Sequence, residues 1–159
     1  MNSIEGLVQV ENKAVGATNG EVRFTKGMDT VNHIATDREQ DVQVVPMVRL
    51  DSIAAAKQAI MAKLDVEGFE AKVLSGASDI FADAQLRIVE TESRDTDVLD
   101  HLCKAGFERV IYTPFSRTIS RFDVDEEDTA SNALFVRDLA FVQARVREAP
   151  SRTIFGVSV

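Results

Sequence analysis

The chain has very little cysteine and histidine, and this shortage limits the chemistry that it can perform. Cys103 is the only cysteine, so no disulfide can form within the chain, and no CxxC or other thiolate zinc pattern is present. The two histidines, His33 and His101, lie far apart and form neither an HxxxH nor an HxH pattern. A metal site built by histidine or cysteine is therefore not expected.

Positive charge and long apolar runs are also scarce. Lysine and arginine number 18 against 26 acidic residues, which gives a net charge of -8. An acidic protein repels phosphate groups and anionic lipid surfaces. No apolar stretch approaches the roughly 20 residues of a membrane-spanning helix, and the N-terminus lacks a signal-peptide pattern. We therefore expect a cytoplasmic protein without nucleic-acid or membrane partners.

The 159 residues and the ordinary globular composition, 45% apolar and 28% charged, predict one folded domain over residues 1–159. In its first third, residues 7–24 show two apolar alternations joined by Asn19 and Gly20, which predicts a hairpin. Residues 26–41 are polar and predict a surface loop. Residues 42–50 predict an extended segment, and Pro46 within it favours a sheet edge or a position outside the sheet.

From residue 51 helix and strand patterns alternate, which predicts βαβ units and a largely parallel sheet. Asp51 or Ser52 is expected to cap the first of these helices, and Gly76 to end the second in a left-handed conformation. Helices are predicted at 51–59, 67–76, 77–83, 95–106 and 139–149, and strands at 60–65, 86–92, 107–113, 115–123 and 132–138.

The stretch "KLDVEGFE", residues 63–70, places three acids around one glycine where a predicted strand gives way to a helix. Ligands in parallel α/β sheets bind beyond the carboxyl ends of the strands, so Asp65 is a candidate site residue. Glu67 and Gly68 open the helix, where negative charge is favourable and glycine allows a close approach. Glu70 lies on roughly the same helical face as Glu67.

The next predicted strand repeats the arrangement with Glu90 and Glu92, which point to the same side of the sheet. Carboxylates so close together need a positive group between them, and Lys63 has the strand parity of Asp65. The residues alone leave three interpretations open. The acids can be helix caps and solvated side chains, ligands of a hard cation such as magnesium or calcium, or groups for acid/base chemistry and substrate positioning.

The run "AKLDVEGFEAKVLSGA", residues 62–77, resembles the central signature of the FkbM-type methyltransferases. Five further segments resemble that family in the same order: "NKAVGATNGEVRF", "VRLDSIA", "IVETE", "AGFERV" and "NALFVR". The resemblance covers about residues 7–137.

This resemblance implies an α/β fold, a partial Rossmann-like methyltransferase fold with a mostly parallel sheet and helices on its faces. The family strand order is 3-2-1-4-5-7-6. Residues 7–15 resemble the third strand, 60–65 the fourth, 86–92 the fifth, and 107–113 and 132–137 the last two. The first two family strands, with the glycine-rich loop and the ribose-binding acid, have no counterpart here.

The resemblance further implies a cofactor, S-adenosylmethionine, and methyl transfer to an oxygen of a small molecule or sugar. Asp65, Glu70 and Glu67 are then the candidate catalytic residues, and Asp65 and Gly68 the candidate cofactor-binding residues. Glu90, Glu92 and His33 are the candidate substrate-binding residues, and no metal is implied.

Without its first two strands, the fourth family strand becomes a sheet edge, which invites pairing with another chain or with the hairpin at residues 7–25. We therefore expect a homo-oligomer or a separate N-terminal half as partner. The alternative to an enzyme is a non-catalytic fragment or complementation subunit that binds through this edge.

Overall fold

The structure is a computed structural model that describes residues 6–27, 32–66, 68–123, 131–154 and 156–158. The strands are β1 (Ala14–Val15), β2 (Gly20–Thr25), β3 (Val42–Val48), β4 (Met61–Leu64), β5 (Ile88–Thr91), β6 (Glu108–Thr113), β7 (Thr118–Arg121), β8 (Ala133–Val136), β9 (Thr153–Ile154) and β10 (Val157–Ser158). The α-helices are α1 (Glu70–Ser75), α2 (Ser78–Ala82), α3 (Thr96–Lys104) and α4 (Leu139–Glu148).

The main sheet has five strands in the order β4-β5-β8-β6-β7. Only β4 and β5 pair in parallel, because β8 runs antiparallel to both of its neighbours and β7 antiparallel to β6. The sheet is therefore mixed, and the expectation of a mostly parallel sheet is wrong. The order β4, β5, β8, β6 is nevertheless the 4-5-7-6 order that the family resemblance implied for these four segments.

Helices lie on both faces of this sheet. On one face Leu64, Val89 and Phe135 pack with residues of α1, α2 and α3 to form the larger apolar core. On the other face Val142 of α4 packs with Val110 and neighbouring sheet residues in a smaller core. Because Leu64 of β4 and Val73 and Leu74 of α1 belong to the larger core, this core positions the loop that joins β4 to α1.

A second, three-stranded sheet has the order β1-β3-β2. The hairpin predicted over residues 7–24 is wrong, because β2 pairs antiparallel with β3 while β1 pairs with β3 in parallel. The side chain of Asn19 explains the difference: its Oδ1 accepts hydrogen bonds from the Arg49 nitrogen at 2.7 Å and from Ser52 Oγ at 3.1 Å. Asn19 thus ties the chain to the end of β3 instead of forming a tight turn.

Pro46 lies inside β3, the middle strand of this sheet, so its predicted position at an edge or outside the sheet is wrong for the strand as a whole. The physical reason for the preference still holds locally. Strand β1 pairs only with Met47 and Val48, so β3 has a neighbour on one side alone at Pro46.

Residues 51–59 do not form the predicted α-helix but two short 3₁₀ helices, Leu50–Ser52 and Ala54–Gln58. Asp51 caps a different helix. Its carboxylate accepts hydrogen bonds from the backbone nitrogens of Ile80 at 3.2 Å and Asp79 at 3.3 Å, at the beginning of α2. Burial acts to raise the pKa of Asp51, but these N–H groups and the Arg49 guanidinium outweigh it and lower the pKa.

Gly76 ends α1 as predicted, but not in the left-handed conformation, because its φ is -93°. Because Gly76 has no side chain, its backbone can pack closely against that of Gly16. A Cβ atom on Gly76 would lie 1.9 Å from the carbonyl oxygen of Gly16, so the two backbones meet where the small sheet packs on the helical layer. Gly106, by contrast, has the positive φ of +89° expected after α3.

Arg137, directly after β8, joins several elements at once. Its guanidinium donates to the carbonyl oxygens of Phe81 at 2.6 Å and Ala105 at 2.5 Å, and also to that of Asp83. It lies 4.3 Å from the centroid of the Phe107 ring. Burial is the main cause that lowers the pKa of Arg137. Across the described ranges, no helix is long and apolar enough to cross a membrane.

Candidate functional site

The site lies at the carboxyl ends of β4 and β5, which meet because these two strands run parallel. Their register pairs Lys63 with Glu90 and Leu64 with Thr91, so Asp65 and Glu92 directly follow the ends of the paired strands. The structure thus brings together three of the acids expected at one rim, Asp65, Glu90 and Glu92. The neighbouring strand positions and the period of two along each strand account for this arrangement.

Lys63 lies between these three carboxylates. Its Nζ is 3.5 Å from Asp65 Oδ2, 3.6 Å from Glu90 Oε1 and 3.7 Å from Glu92 Oε1. Partial desolvation acts to lower the pKa of Lys63, but the hydrogen bond to Asp65 and the charges of the three acids raise it above its usual value. Lys63 therefore supplies the positive charge that was expected between these carboxylates.

Glu70, the first residue of α1, is buried, with only 6% of its surface exposed. Its Oε1 accepts one long hydrogen bond, 3.4 Å from the backbone nitrogen of Gly68. No ion pair to Glu70 is found among the described residues. A buried carboxylate with so little compensation has unused capacity for a cation or a hydrogen-bond donor.

Gly68 has a φ of +83°, and a Cβ added there would meet no atom within 4 Å. Glycine is needed at this position for its backbone conformation, and the space beside it is open. Glu67, the remaining acid of the signature, lies outside the described residues.

A cleft of about 310 Å³ opens at this rim. Sequence reasoning found four of the residues that line it, Asp65, Gly68, Glu70 and Glu92, and missed the other two, Ser93 and Arg94. The position of these two directly after β5 was the signal that could have identified them, since loops at strand carboxyl ends carry ligands in parallel sheets.

His33 is not brought to this cleft. It lies beside β2, where its backbone nitrogen donates to Thr25 Oγ1 at 2.8 Å and its Nε2 is 2.8 Å from Glu39 Oε1. A hydrogen bond from the Thr36 backbone is the main cause that lowers the pKa of Glu39. The role of His33 in substrate binding stays a prediction.

A larger cavity of about 550 Å³ lies between the main sheet and α4. Most of its lining is apolar, and its polar side chains include Glu90 and Asn132. Asn132 Nδ2 donates to Glu90 Oε1 at 2.7 Å, so Glu90 joins this cavity to the Lys63 cluster. Sequence reasoning assigned no role to Asn132, although it is the first residue of the family-like segment "NALFVR".

Within the part of the chain that the structure describes, no group of three or more histidine, cysteine, aspartate or glutamate side chains is arranged to hold a metal ion. The Lys63 ammonium lies between Asp65, Glu90 and Glu92, at the position that a metal cation bound by these acids would occupy.

An α/β fold with a polar cleft at the carboxyl ends of adjacent parallel strands is typical of proteins that bind small molecules. A model of the methyltransferase FkbM domain matches residues 4–109, and the chain belongs to that family. The match includes β4, β5 and the whole signature around Asp65, whereas β7, β8 and α4 lie beyond it. Neither the curated proteins nor the solved structures gave a match.

The described cleft fits one end of the cofactor that this family implies, S-adenosylmethionine. Asp65, Glu70 and Glu92 suit its two positive groups, the sulfonium and the amine, and Arg94 suits its carboxylate. Among the described residues that line the cleft, none has an apolar side chain that would contact the adenine ring. The fit therefore concerns the methionine end, which carries the methyl group.

Proposed function

We propose that this chain is a methyltransferase that uses S-adenosylmethionine and acts on an oxygen atom of a small molecule or sugar. The observation that carries the proposal is the state of Glu70. It is a buried carboxylate in the family signature that accepts one long hydrogen bond from the described residues and faces a polar cleft at the ends of β4 and β5. Family membership supports methyl transfer as the reaction.

Two carboxylates in different surroundings provide the chemistry. Asp65 is 46% exposed and paired with Lys63, so its carboxylate is accessible to an acceptor hydroxyl. Glu70 is buried and suits the binding of positive charge. When bound, S-adenosylmethionine would supply an electrophilic methyl group to the acceptor oxygen. Asp65 would orient the acceptor hydroxyl and accept its proton while the sulfur keeps the electron pair of the broken methyl bond, and alignment of the reacting atoms would contribute to the rate.

Calorimetric titration of the full chain with S-adenosylmethionine tests the proposal. We expect binding, and we expect Glu70→Gln to weaken it about tenfold or more, because a hydrogen bond or ion pair to a charged group is lost. Asp100→Asn, at an exposed position on α3, is the matched control and should leave the affinity unchanged. Thermal unfolding of each variant verifies that it is folded.

A second titration with S-adenosylhomocysteine makes the test sharper, because this molecule lacks both the methyl group and the positive charge on sulfur. If Glu70 binds the sulfonium, the wild type prefers S-adenosylmethionine, and Glu70→Gln loses that preference. No binding of either molecule at millimolar concentration would overturn the proposal of an active enzyme.

The runner-up function is a non-catalytic complementation subunit. One observation favours it: β4 is the terminal strand of the main sheet, and Ile60, just before β4, and Met61, its first residue, are 60% and 49% exposed. An edge with exposed apolar side chains suits pairing with another chain. This function predicts association without cofactor binding, which the calorimetric titrations separate from the first.

A further inference from the structure

The cavity between the main sheet and α4 has the size and lining of a small-molecule site. Its volume of about 550 Å³ falls within the range of roughly 300–1,000 Å³ that is common for ligand pockets. Apolar side chains come from several strands of the sheet and from α4. They include those of Met61, Ile88, Val110, Ile119, Phe122 and Val146.

Asn132 gives this cavity a polar group with a defined orientation. Its amide nitrogen donates to Glu90, and a carboxylate accepts but cannot donate, so the amide oxygen must point the other way. That oxygen is buried and, among the described residues, has no hydrogen-bond partner. A buried acceptor without a donor is costly. Because this oxygen has almost no accessible surface, a ligand hydroxyl would donate to it once the Asn132 side chain turns it toward the cavity, and the bond would remove this cost.

The charges around the cavity favour a neutral donor. The Glu90 carboxylate beside Asn132 repels an anionic ligand, and the Lys63 ammonium, 3.6 Å from Glu90, opposes a cationic one. The Arg109 guanidinium, which also lines the cavity, lies 3.9 Å from the centroid of the Phe122 ring. A hydroxyl group on an apolar body meets these conditions.

The cavity and the cleft share the Lys63 cluster. Glu90 lines the cavity, Asp65 and Glu92 line the cleft, and all three carboxylates contact the same ammonium group. A hydroxyl group that donates to Asn132 would therefore lie beside Glu90, on the cavity side of this cluster. For methyl transfer its single proton would have to turn from Asn132 toward the carboxylates of the cluster, which include Asp65.

We infer that the cavity binds a neutral molecule with an apolar body and a hydroxyl group, and that this class of molecule is the acceptor of the methyl group. The second part rests on the proposed function. It narrows the acceptor from any small molecule or sugar to an apolar alcohol or phenol, because a sugar would leave most of the apolar lining without a matching surface.

The experiment uses two probes of nearly equal shape, 2-naphthol and 2-methoxynaphthalene, which differ in the presence of a hydroxyl donor. Binding to the full chain is followed by two-dimensional NMR of backbone amides. We expect 2-naphthol to bind about tenfold more tightly, and we expect Asn132→Leu to abolish this difference by removing the unpaired oxygen.

Two tryptophan variants distinguish the cavity from general apolar binding. Val146→Trp fills the cavity from α4 and should abolish the binding of both probes. Val44→Trp adds the same side chain at an exposed position on β3, away from the cavity, and should change neither affinity. Thermal unfolding verifies that each variant is folded.

The outcomes separate this inference from the proposed function. Equal affinities of the two probes for the wild type, an unchanged preference in Asn132→Leu, or no binding of either probe would each overturn the site. Titration of the same samples with S-adenosylmethionine reports on the proposed function alone. Binding of 2-naphthol without cofactor binding overturns the acceptor role, and cofactor binding without 2-naphthol binding overturns the inference while the proposed function stands.

Discussion

At the scale of single residues, Lys63 allows three carboxylates to remain close together at the ends of two strands. Its contacts with Asp65, Glu90 and Glu92 are all between 3.5 and 3.7 Å. The lysine side chain is 45% exposed, so these ion pairs contribute little to stability. Their main effect is on ligand binding, because one ammonium partly neutralises the three carboxylates that a ligand would meet at the strand ends.

Asp65→Asn should lower the pKa of the Lys63 ammonium toward its usual value, because Asp65 provides both a hydrogen bond and the nearest charge. Because the pKa of Lys63 is raised in the folded state, its ammonium group stabilises the fold at pH values below the unfolded pKa of about 10.4. This contribution is lost as the pH rises through the folded pKa. NMR titration of the Lys63 side chain measures the shift. Asp100→Asn should leave it unchanged, and equal titration of Lys63 in both variants would contradict the expectation.

Asp51 is a buried residue whose charge should contribute to stability, because several donors surround its carboxylate. Its Oδ2 accepts from Asp79, Ser78 and Arg49, so Asp51→Asn would place an amide donor among donors. We expect the free energy of unfolding to fall by about 1–3 kcal/mol at neutral pH. Urea denaturation at about pH 7 gives this difference.

The pH dependence of this effect has a definite sign. Because the folded pKa of Asp51 is lowered, its contribution is present above the unfolded value of about 3.9 and is lost as the pH falls through the folded pKa. The difference between wild type and Asp51→Asn should therefore shrink as the pH falls below about 4. A difference that stays constant with pH would show that the charge of Asp51 is not its cause.

At the scale of elements, the contact of Gly76 with Gly16 determines how the small sheet meets the helical layer. Gly76→Ala should lower the free energy of unfolding by about 1–3 kcal/mol, because the methyl group would overlap the Gly16 carbonyl. Gly20→Ala is the matched control, since a Cβ at Gly20 meets nothing within 4 Å. Urea denaturation compares the two, and equal losses would rule out the close contact as the cause.

The sequence predicts elements well where local signals decide them and poorly where distant bonds do. Strand β4 and the helices α1, α3 and α4 lie within the predicted segments, because apolar periodicity and end signals such as Gly106 act locally. Residues 7–24 and 51–59 did not follow their patterns. The Asn19 side chain accepts a hydrogen bond from the Arg49 backbone, and the Asp51 carboxylate accepts one from the Ile80 backbone. Both bonds join residues that are distant in sequence, so local patterns do not predict them.

The candidate site, like the elements, was predictable where local sequence signals determine it and not where contacts between distant residues do. The position of Lys63 among the acids follows from strand period and parity, which the sequence contains. The contact of Asn132 with Glu90 joins residues 42 positions apart across the β5 and β8 ladder. The family strand order implied that these two strands are neighbours, but it does not show which side chains meet across them.

At the scale of the whole molecule, net charge and an open edge oppose each other. Strand β4 ends the main sheet, and no strand pairs with its outer side in the described residues. Ile60, just before β4, and Met61, its first residue, are exposed, which favours pairing with a second copy of the chain. The net charge of -8 repels such a copy. Association should therefore depend on salt, which screens the repulsion.

We expect light scattering after size-exclusion chromatography to show a molar mass that rises with protein concentration, and more steeply at high salt. Met61→Glu should reduce association by placing a charge on the β4 edge. Val44→Glu adds the same charge to the exposed face of β3 and serves as the control. A monomer at every concentration and salt would show that the edge does not mediate self-association, and equal effects of both variants would assign the change to net charge instead of to β4.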